Sequence, residues 1–129
     1  MAVHKLNVYE DIAGTVFPAG RHGRVIVGVD SPLQAEGYVV GTSDLFANGG
    51  AVPEHDHETE ETYLILSGSG VMTVDGEAVP AKAGDAFYMQ PWQKHGLVNT
   101  GDTVMRILYV YAPKMVVDHW AKETSGELK

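Results

Sequence analysis

Short apolar runs separated by turn-forming residues fill most of this sequence. β-branched and aromatic residues dominate the runs, and Gly, Pro, Asn and Asp interrupt them about every 8 to 12 residues, a pattern typical of short strands joined by turns. Asp75-Gly76 is a strong signal for a two-residue hairpin turn. The predicted strands are 24–29, 37–42, 51–57, 62–66, 71–74, 77–80, 86–90, 94–99 and 103–111.

This succession of strands predicts an all-β sandwich or barrel, because no helical run precedes residue 113. Three segments follow from the pattern: an N-terminal arm or edge strand over 1–23, a barrel over 24–113, and a C-terminal helix with its tail over 114–129.

The predicted C-terminal helix over 114–123 carries an apolar face that includes His119 and Trp120. We interpret His119 as a packing residue on that face, because terminal helices bury such residues against the domain. The alternative is that the His119 side chain reaches a pocket inside the predicted barrel.

Composition narrows the class of protein. A chain of 129 residues suffices for one domain with a real core. No apolar run approaches the roughly 18 residues of a membrane helix, and the first residues lack an apolar signal core, so we expect a cytoplasmic protein without a membrane partner. A net charge of −8 with scattered Lys and Arg argues against nucleic acid.

The absence of cysteine limits the chemistry further. It excludes disulfides, thiolate nucleophiles and thiolate metal ligands, so any metal must be held by nitrogen and oxygen. The densest basic cluster is Arg21, His22 and Arg24. We expect this cluster to be a solvated turn before a strand. The alternative is that it binds a substrate carboxylate.

Three strong metal ligands, His55, His57 and Glu61, lie within seven residues. On a strand, the two-residue period would point both imidazoles to one face. A single His-x-His is weak evidence, since an acidic stretch of this kind is usually a solvated turn. His95, followed by Asn99, supplies a fourth candidate ligand and favours a metal site.

The stretch 49–68 resembles the first motif of the cupin family, Gly-x5-His-x-His-x3-Glu-x6-Gly. Every spacing of that motif is kept. Its positions are filled by Gly49, His55, His57, Glu61 and Gly68.

The second cupin motif, Gly-x5-Pro-x-Gly-x2-His-x3-Asn, is met at Gly84, His95 and Asn99. Gln90 stands where the family has proline, and Trp92 stands where it has glycine. The ligand position is therefore kept, while the turn that precedes it differs.

The resemblance implies an antiparallel jelly-roll barrel with a metal inside one end. Three imidazoles and a carboxylate would fill four positions of an octahedron and leave two adjacent positions open. Mixed nitrogen and oxygen ligation suits one divalent transition metal, namely Fe, Mn, Ni, Co or Zn. In small relatives the N-terminal strand often crosses to a partner. Apolar residues on both faces of the longest predicted strand, 103–111, favour a homodimer that buries one of those faces.

Tyr63 lies two residues beyond Glu61 and would share the ligand face of a strand. Similar tyrosines act as base or acid in some cupin lyases, including those that split dimethylsulfoniopropionate; a core aromatic is the alternative. Further candidates, for substrate binding, are Gln90, Trp92, Arg106 and Tyr109. An inward Arg106 could clamp a carboxylate, but its strand is apolar on both faces.

These features predict a metal-dependent lyase or isomerase acting on a small oxygen-rich acid or sugar derivative. A metal-dependent dioxygenase is the first alternative, because one open position could take O₂. A non-enzymatic cupin that binds a small ligand is the second. Fold alone does not choose among them.

Overall fold

In the computed structural model, which describes residues 2–129, ten strands and two short helices follow one another. The strands are β1 (Thr15–Phe17), β2 (Arg21–Val27), β3 (Val39–Leu45), β4 (Ala51–His55), β5 (Glu60–Ser67), β6 (Ser69–Val74), β7 (Glu77–Lys82), β8 (Ala86–Met89), β9 (His95–Asn99) and β10 (Met105–Ala112). The helices are α1 (Val8–Asp11) and α2 (His119–Thr124). Both described helices are too short to cross a membrane.

The strands form two antiparallel sheets. One has six strands in the order β1-β2-β3-β10-β5-β8, and the other has four in the order β4-β9-β6-β7. The hairpin predicted at Asp75-Gly76 joins β6 to β7. The other pairings are mostly non-local, such as β3 with β10 and β4 with β9. The predicted all-β antiparallel barrel with a short C-terminal helix is confirmed.

The direction of each side chain in β10 follows the strand period of two. Residues 105, 107, 109 and 111 are buried, and the residues between them are only half buried. Inward residues of both sheets meet in one core, so the two sheets pack face to face. This core includes Val39, Leu45, Val52, Tyr63, Ile65, Met72, Met89, Leu97, Met105, Ile107, Tyr109, Tyr111 and Val117.

The N-terminal segment contains more structure than an irregular arm. Asn7 caps α1 by accepting hydrogen bonds from the backbone N–H groups of Tyr9 and Glu10. β1 forms the edge of the six-stranded sheet, and β2 begins at Arg21 rather than at residue 24. β1 pairs with β2 over three residues, and this pairing extends β2 toward the N-terminus.

The C-terminal helix begins at His119 rather than at residue 114. Residues 114–118 are non-helical. Val117 is buried in the core, and the Tyr111 hydroxyl donates a 2.7 Å hydrogen bond to the Met115 carbonyl. These tertiary contacts override the helical periodicity of the segment.

Candidate metal centre

Three separate elements bring the predicted ligands together. His55 ends β4, Glu61 is the second residue of β5, and His95 begins β9, where it is the strand partner of His55. His57 was predicted on the same strand as His55, but β4 ends at His55 and His57 lies in the connection to β5. The Trp92 N–H donates a 2.8 Å hydrogen bond to the His57 carbonyl and ties that connection to the loop before β9.

One potential ligand atom from each of the four residues lies within 4.8 Å of the others. All four side chains are buried. We call His55, His57, Glu61 and His95 the metal cluster. Glu61 Oε1 lies 3.1 Å from the Nε2 atoms of both His57 and His95.

Backbone carbonyl groups orient the three imidazoles in the same way. Each Nδ1 atom donates to a carbonyl oxygen two residues away, which leaves each Nε2 to face the centre of the cluster. The three contacts are His55 to Pro53 at 2.7 Å, His57 to Thr59 at 3.0 Å and His95 to Gln93 at 2.8 Å. Carbonyl partners of this kind fix the tautomer in which Nε2 can ligate a metal.

The cluster fits a divalent cation on the evidence of its own atoms. His55 Nε2 is buried and has no hydrogen-bond partner among residues 2–129. An unpartnered buried nitrogen is costly, and a metal ion would satisfy it. Three imidazoles and one carboxylate are also a donor set suited to divalent transition metals.

The same contacts set the charges of the cluster. Burial, followed by the neighbouring charge of His95, lowers the pKa of His55 to about 3, so this imidazole is neutral at pH 7. Burial also opposes the charged form of His57, but the hydrogen bond and charge of Glu61 outweigh it and raise the His57 pKa. Against the effect of burial, hydrogen bonds from His57 and His95 lower the pKa of Glu61, which stays ionised.

Comparison with known proteins identifies the family. The family model described as Cupin domain matches residues 44–111, more than half of the chain. This chain belongs to the cupin family. An uncharacterised protein of Methanocaldococcus jannaschii is 32% identical to this cupin over 105 residues, which are 81% of this chain and 78% of that protein.

Two further relatives show how far the likeness extends. An oxalate-binding protein of Thermotoga maritima is 43% identical over 63 residues, 48% of this chain and 52% of that protein. The structure of KdgF from Halomonas sp. superposes with a TM-score of 0.72 over 89% of this chain and 96% of that chain, at 18% identity, and thus shares the fold. Other curated relatives include an isomerase, a lyase and a dioxygenase, so relatives of this cupin differ in enzymatic role.

Tyr63 lies inside this cupin barrel next to the cluster. It is buried, and its ring meets the His95 imidazole edge-on, with 5.7 Å between centroids. Burial, followed by the charge of Glu61, raises the pKa of Tyr63 well above its ordinary value. The phenol therefore keeps its proton at neutral pH, and it can donate a hydrogen bond or a proton.

Tyr109 is the one predicted substrate-binding residue that the barrel buries. Its ring lies directly over the backbone of Gly41, where an added Cβ would meet the ring carbons and hydroxyl at 2.3 to 2.6 Å. The ring stacks on Tyr111 with 6.3 Å between centroids. Burial is the main cause that raises the Tyr109 pKa, so this phenol is also neutral.

The structure does not bring the other three predicted substrate-binding residues to the cluster. Arg106 lies on the outer side of β10, where it makes two hydrogen bonds to Asp44 at 2.8 and 3.2 Å and stacks over Tyr9. Gln90 is exposed. Trp92 is 65% exposed in the loop before β9, with a left-handed φ of 65°.

His119 reaches the cluster, which was the alternative in the sequence interpretation. Its ring stacks on His55 with 3.7 Å between centroids and 17° between planes. His119 Nδ1 is buried and unpartnered in the described part of the chain. One signal in the sequence pointed to this contact, namely the position of His119 on the apolar face of a terminal helix. The contact with His55 itself depends on how that helix packs.

Two cavities lie against α2. An inner void of about 20 Å³ borders the cluster and is lined in part by Glu61, Tyr63 and His119. An outer cavity of about 460 Å³ lies between the N-terminal segment and Trp120 and contains no cluster ligand. Arg21, Ser43, Tyr109 and Trp120 line both cavities. The outer cavity is the larger space, but the inner void is where the chemistry of the cluster would operate.

Proposed function

We propose that this cupin is a metal-dependent lyase or isomerase that acts on a small oxygen-rich acid or sugar derivative. The observation that carries the proposal is the buried cluster of His55, His57, Glu61 and His95, with its Nδ1 atoms held by carbonyls and its Nε2 atoms directed inward. A bound divalent cation would supply Lewis-acid polarisation of a substrate oxygen.

Tyr63 is the proposed proton donor. Its hydroxyl is buried beside the cluster, and its raised pKa keeps the proton on the oxygen until a substrate group needs it. A group that is neutral at rest acts as a general acid or hydrogen-bond donor, and as a base only when the local charge lowers its pKa.

The inner void, at about 20 Å³, favours a small substrate group. Tyr63, Tyr109 and Trp120 border it with aromatic surface. The outer cavity offers room for a small molecule to approach, because it shares Tyr109 and Trp120 with the inner void.

Binding without catalysis is the second candidate function. It is favoured by the 43% identity to an oxalate-binding protein, although the aligned region covers 52% of that protein. Under this alternative the cluster and its metal would hold a small carboxylate without turning it over. Dioxygenase activity remains the third, since one relative of 30% identity is named gentisate 1,2 dioxygenase 1.

Metal analysis followed by a substrate screen tests the proposal. The protein is loaded with Fe, Mn, Ni, Co or Zn, and small carboxylates and sugar acids are tested with and without each metal for product formation and oxygen uptake. Product without oxygen uptake supports a lyase or isomerase, oxygen-dependent product indicates a dioxygenase, and binding without product indicates the second candidate. Failure to take up any metal would overturn the proposal.

The variant Tyr63→Phe tests whether Tyr63 is the proton donor, and Tyr88→Phe is its matched control. Tyr88 is exposed and donates a 2.9 Å hydrogen bond to Glu60 away from the cluster. We expect Tyr63→Phe to lower turnover by roughly 10² or more with metal content retained, and Tyr88→Phe to keep full turnover. Full turnover in Tyr63→Phe would remove Tyr63 from the mechanism. A homodimer and a cytoplasmic location stay predictions from the sequence.

A further inference from the structure

Arg21 is a charged side chain enclosed by the barrel, not the solvated residue that the basic cluster in the sequence predicted. It is 2% exposed and begins β2. Its guanidinium stacks over the Phe17 ring at 4.2 Å from the centroid. A buried guanidinium requires compensating partners, because an unpaired charge in the interior is very costly.

The partner of Arg21 comes from the C-terminal helix. Arg21 Nη1 lies 2.7 Å from Glu123 Oε1 and donates a 2.9 Å hydrogen bond to Glu123 Oε2, and Glu123 is 1% exposed. Nη1 also donates to the Ala51 carbonyl at 3.2 Å, and the Ala19 N–H donates to Glu123 Oε2 at 3.2 Å. A carboxylate of the chain itself is thus held inside the barrel on an arginine.

The pairing leaves part of the guanidinium unused. Arg21 Nη2 is buried and has no hydrogen-bond partner within residues 2–129. Arginine can bind a carboxylate through two parallel N–H donors, but Glu123 engages only Nη1. A second acceptor could therefore be bound at Nη2.

Arg21 also faces the space next to the metal cluster. It lines the inner void together with Glu61, Tyr63 and His119, and it lines the outer cavity as well. A molecule that passed from the outer cavity to the inner void would meet Arg21 on its path. A carboxylate on that molecule would find the one buried arginine among the described residues.

We propose that Arg21 binds the carboxylate of the substrate through Nη1 and Nη2 together, and that Glu123 occupies Nη1 until a substrate acid displaces it. The inference rests on the proposed function, which supplies the metal as the second point of attachment. It narrows the substrate class to small acids and sets aside neutral sugar derivatives. A substrate held by its carboxylate at Arg21 and by an oxygen at the metal would be fixed at two points.

Displacement of Glu123 from Arg21 would also change how α2 packs beside the metal cluster. Glu123 and His119 lie one helical turn apart on the buried face of α2. Release of Glu123 from Arg21 would loosen the contact of His119 with His55 and enlarge the inner void. An ion pair with only a structural role would resist such exchange and would show no preference for acids.

The test compares a small acid with its neutral amide on zinc-loaded and metal-free protein. Binding of glycolate and glycolamide is measured by calorimetry and by tryptophan fluorescence, to which Trp120 at the inner void and the exposed Trp92 both contribute. Glu123→Gln removes the competing charge, and Lys122→Gln is the control on the exposed side of the same helix. We expect Glu123→Gln to raise the affinity for glycolate about tenfold, which corresponds to the contribution of one charge-assisted hydrogen bond. We expect Lys122→Gln to leave the glycolate affinity unchanged.

The double variant Arg21→Gln/Glu123→Gln removes both buried charges together, whereas Glu123→Gln leaves Arg21 as a lone buried charge. The fold of each variant is therefore checked by circular dichroism. We expect the double variant to lose the preference for glycolate over glycolamide. Unchanged or weaker glycolate binding in Glu123→Gln, or a double variant that keeps the preference, would overturn the inference. Zinc uptake is measured in the same samples, so a loss of the proposed metal function is seen separately from a failure of the carboxylate site.

Discussion

Thr59 is a direct means of testing whether the contacts behind the imidazoles matter for metal binding. Its side chain is fully buried, and its Oγ1 lies 2.8 Å from His57 Nδ1. Its own carbonyl oxygen lies 3.0 Å from the same nitrogen. Thr59→Val removes the hydroxyl, nearly preserves the size of the side chain, and leaves the carbonyl in place.

The expected size of the effect follows from these two acceptors. Loss of a hydrogen-bond partner behind a metal-ligating histidine costs about 10- to 100-fold in metal affinity. One of the two acceptors of His57 Nδ1 survives in Thr59→Val, so we expect the lower end of that range. A tenfold loss corresponds to about 1.4 kcal/mol.

Competition for Zn²⁺ or Co²⁺ with a chromophoric chelator measures the affinity. Thr62→Val is the matched control, because Thr62 is exposed on β5 near the cluster. The melting temperature of each variant without metal shows whether the barrel itself is intact. Unchanged affinity in Thr59→Val, or an equal loss in Thr62→Val, would refute the claim that this hydroxyl orients His57.

Three further predictions concern metal uptake, pH and the barrel wall. His95→Ala should abolish metal uptake and keep the β-rich circular dichroism spectrum; unchanged metal content would contradict the ligand assignment. Because the His57 pKa is raised, protons compete with the metal for this imidazole already above about pH 6.5. Metal affinity measured in titrations should therefore fall as the pH drops through that raised pKa, and a pH-independent affinity would contradict this. Gly41→Ala should destabilise the fold by about 1 to 3 kcal/mol in urea unfolding through the clash with Tyr109, whereas Gly37→Ala, with open space around it, should not.

Local sequence determined the fold class and the ligands of the cluster. Apolar runs and turn residues located most strands, because strand period and turn chemistry depend on neighbours in sequence. The spacing of His55, His57, Glu61 and His95 predicted a cluster that the structure brings together. The motif encodes the cluster because its ligands lie at or near strand ends, and the strand ends of His55 and His95 pair directly with each other.

The local sequence determined strand ends and side-chain directions less completely than it determined the fold class. The apolar residues of β10 on both sides left the direction of Arg106 open, and the outward position beside Asp44 was decided by the register with β3. The predicted helix over 114–123 begins only at His119, because Val117 enters the core. In both cases the local pattern allowed two conformations, and contacts with distant strands selected one.

Only the tertiary structure decided what surrounds the cluster. His119 is far from His55 in sequence, and Glu123 is 102 residues from Arg21, yet α2 places both contacts inside the barrel. The sequence specifies strands and ligands through interactions between near neighbours, which can be recognised by spacing. It does not display the partners of a buried ring or charge, because those are set by the packing of elements that have no fixed separation along the chain.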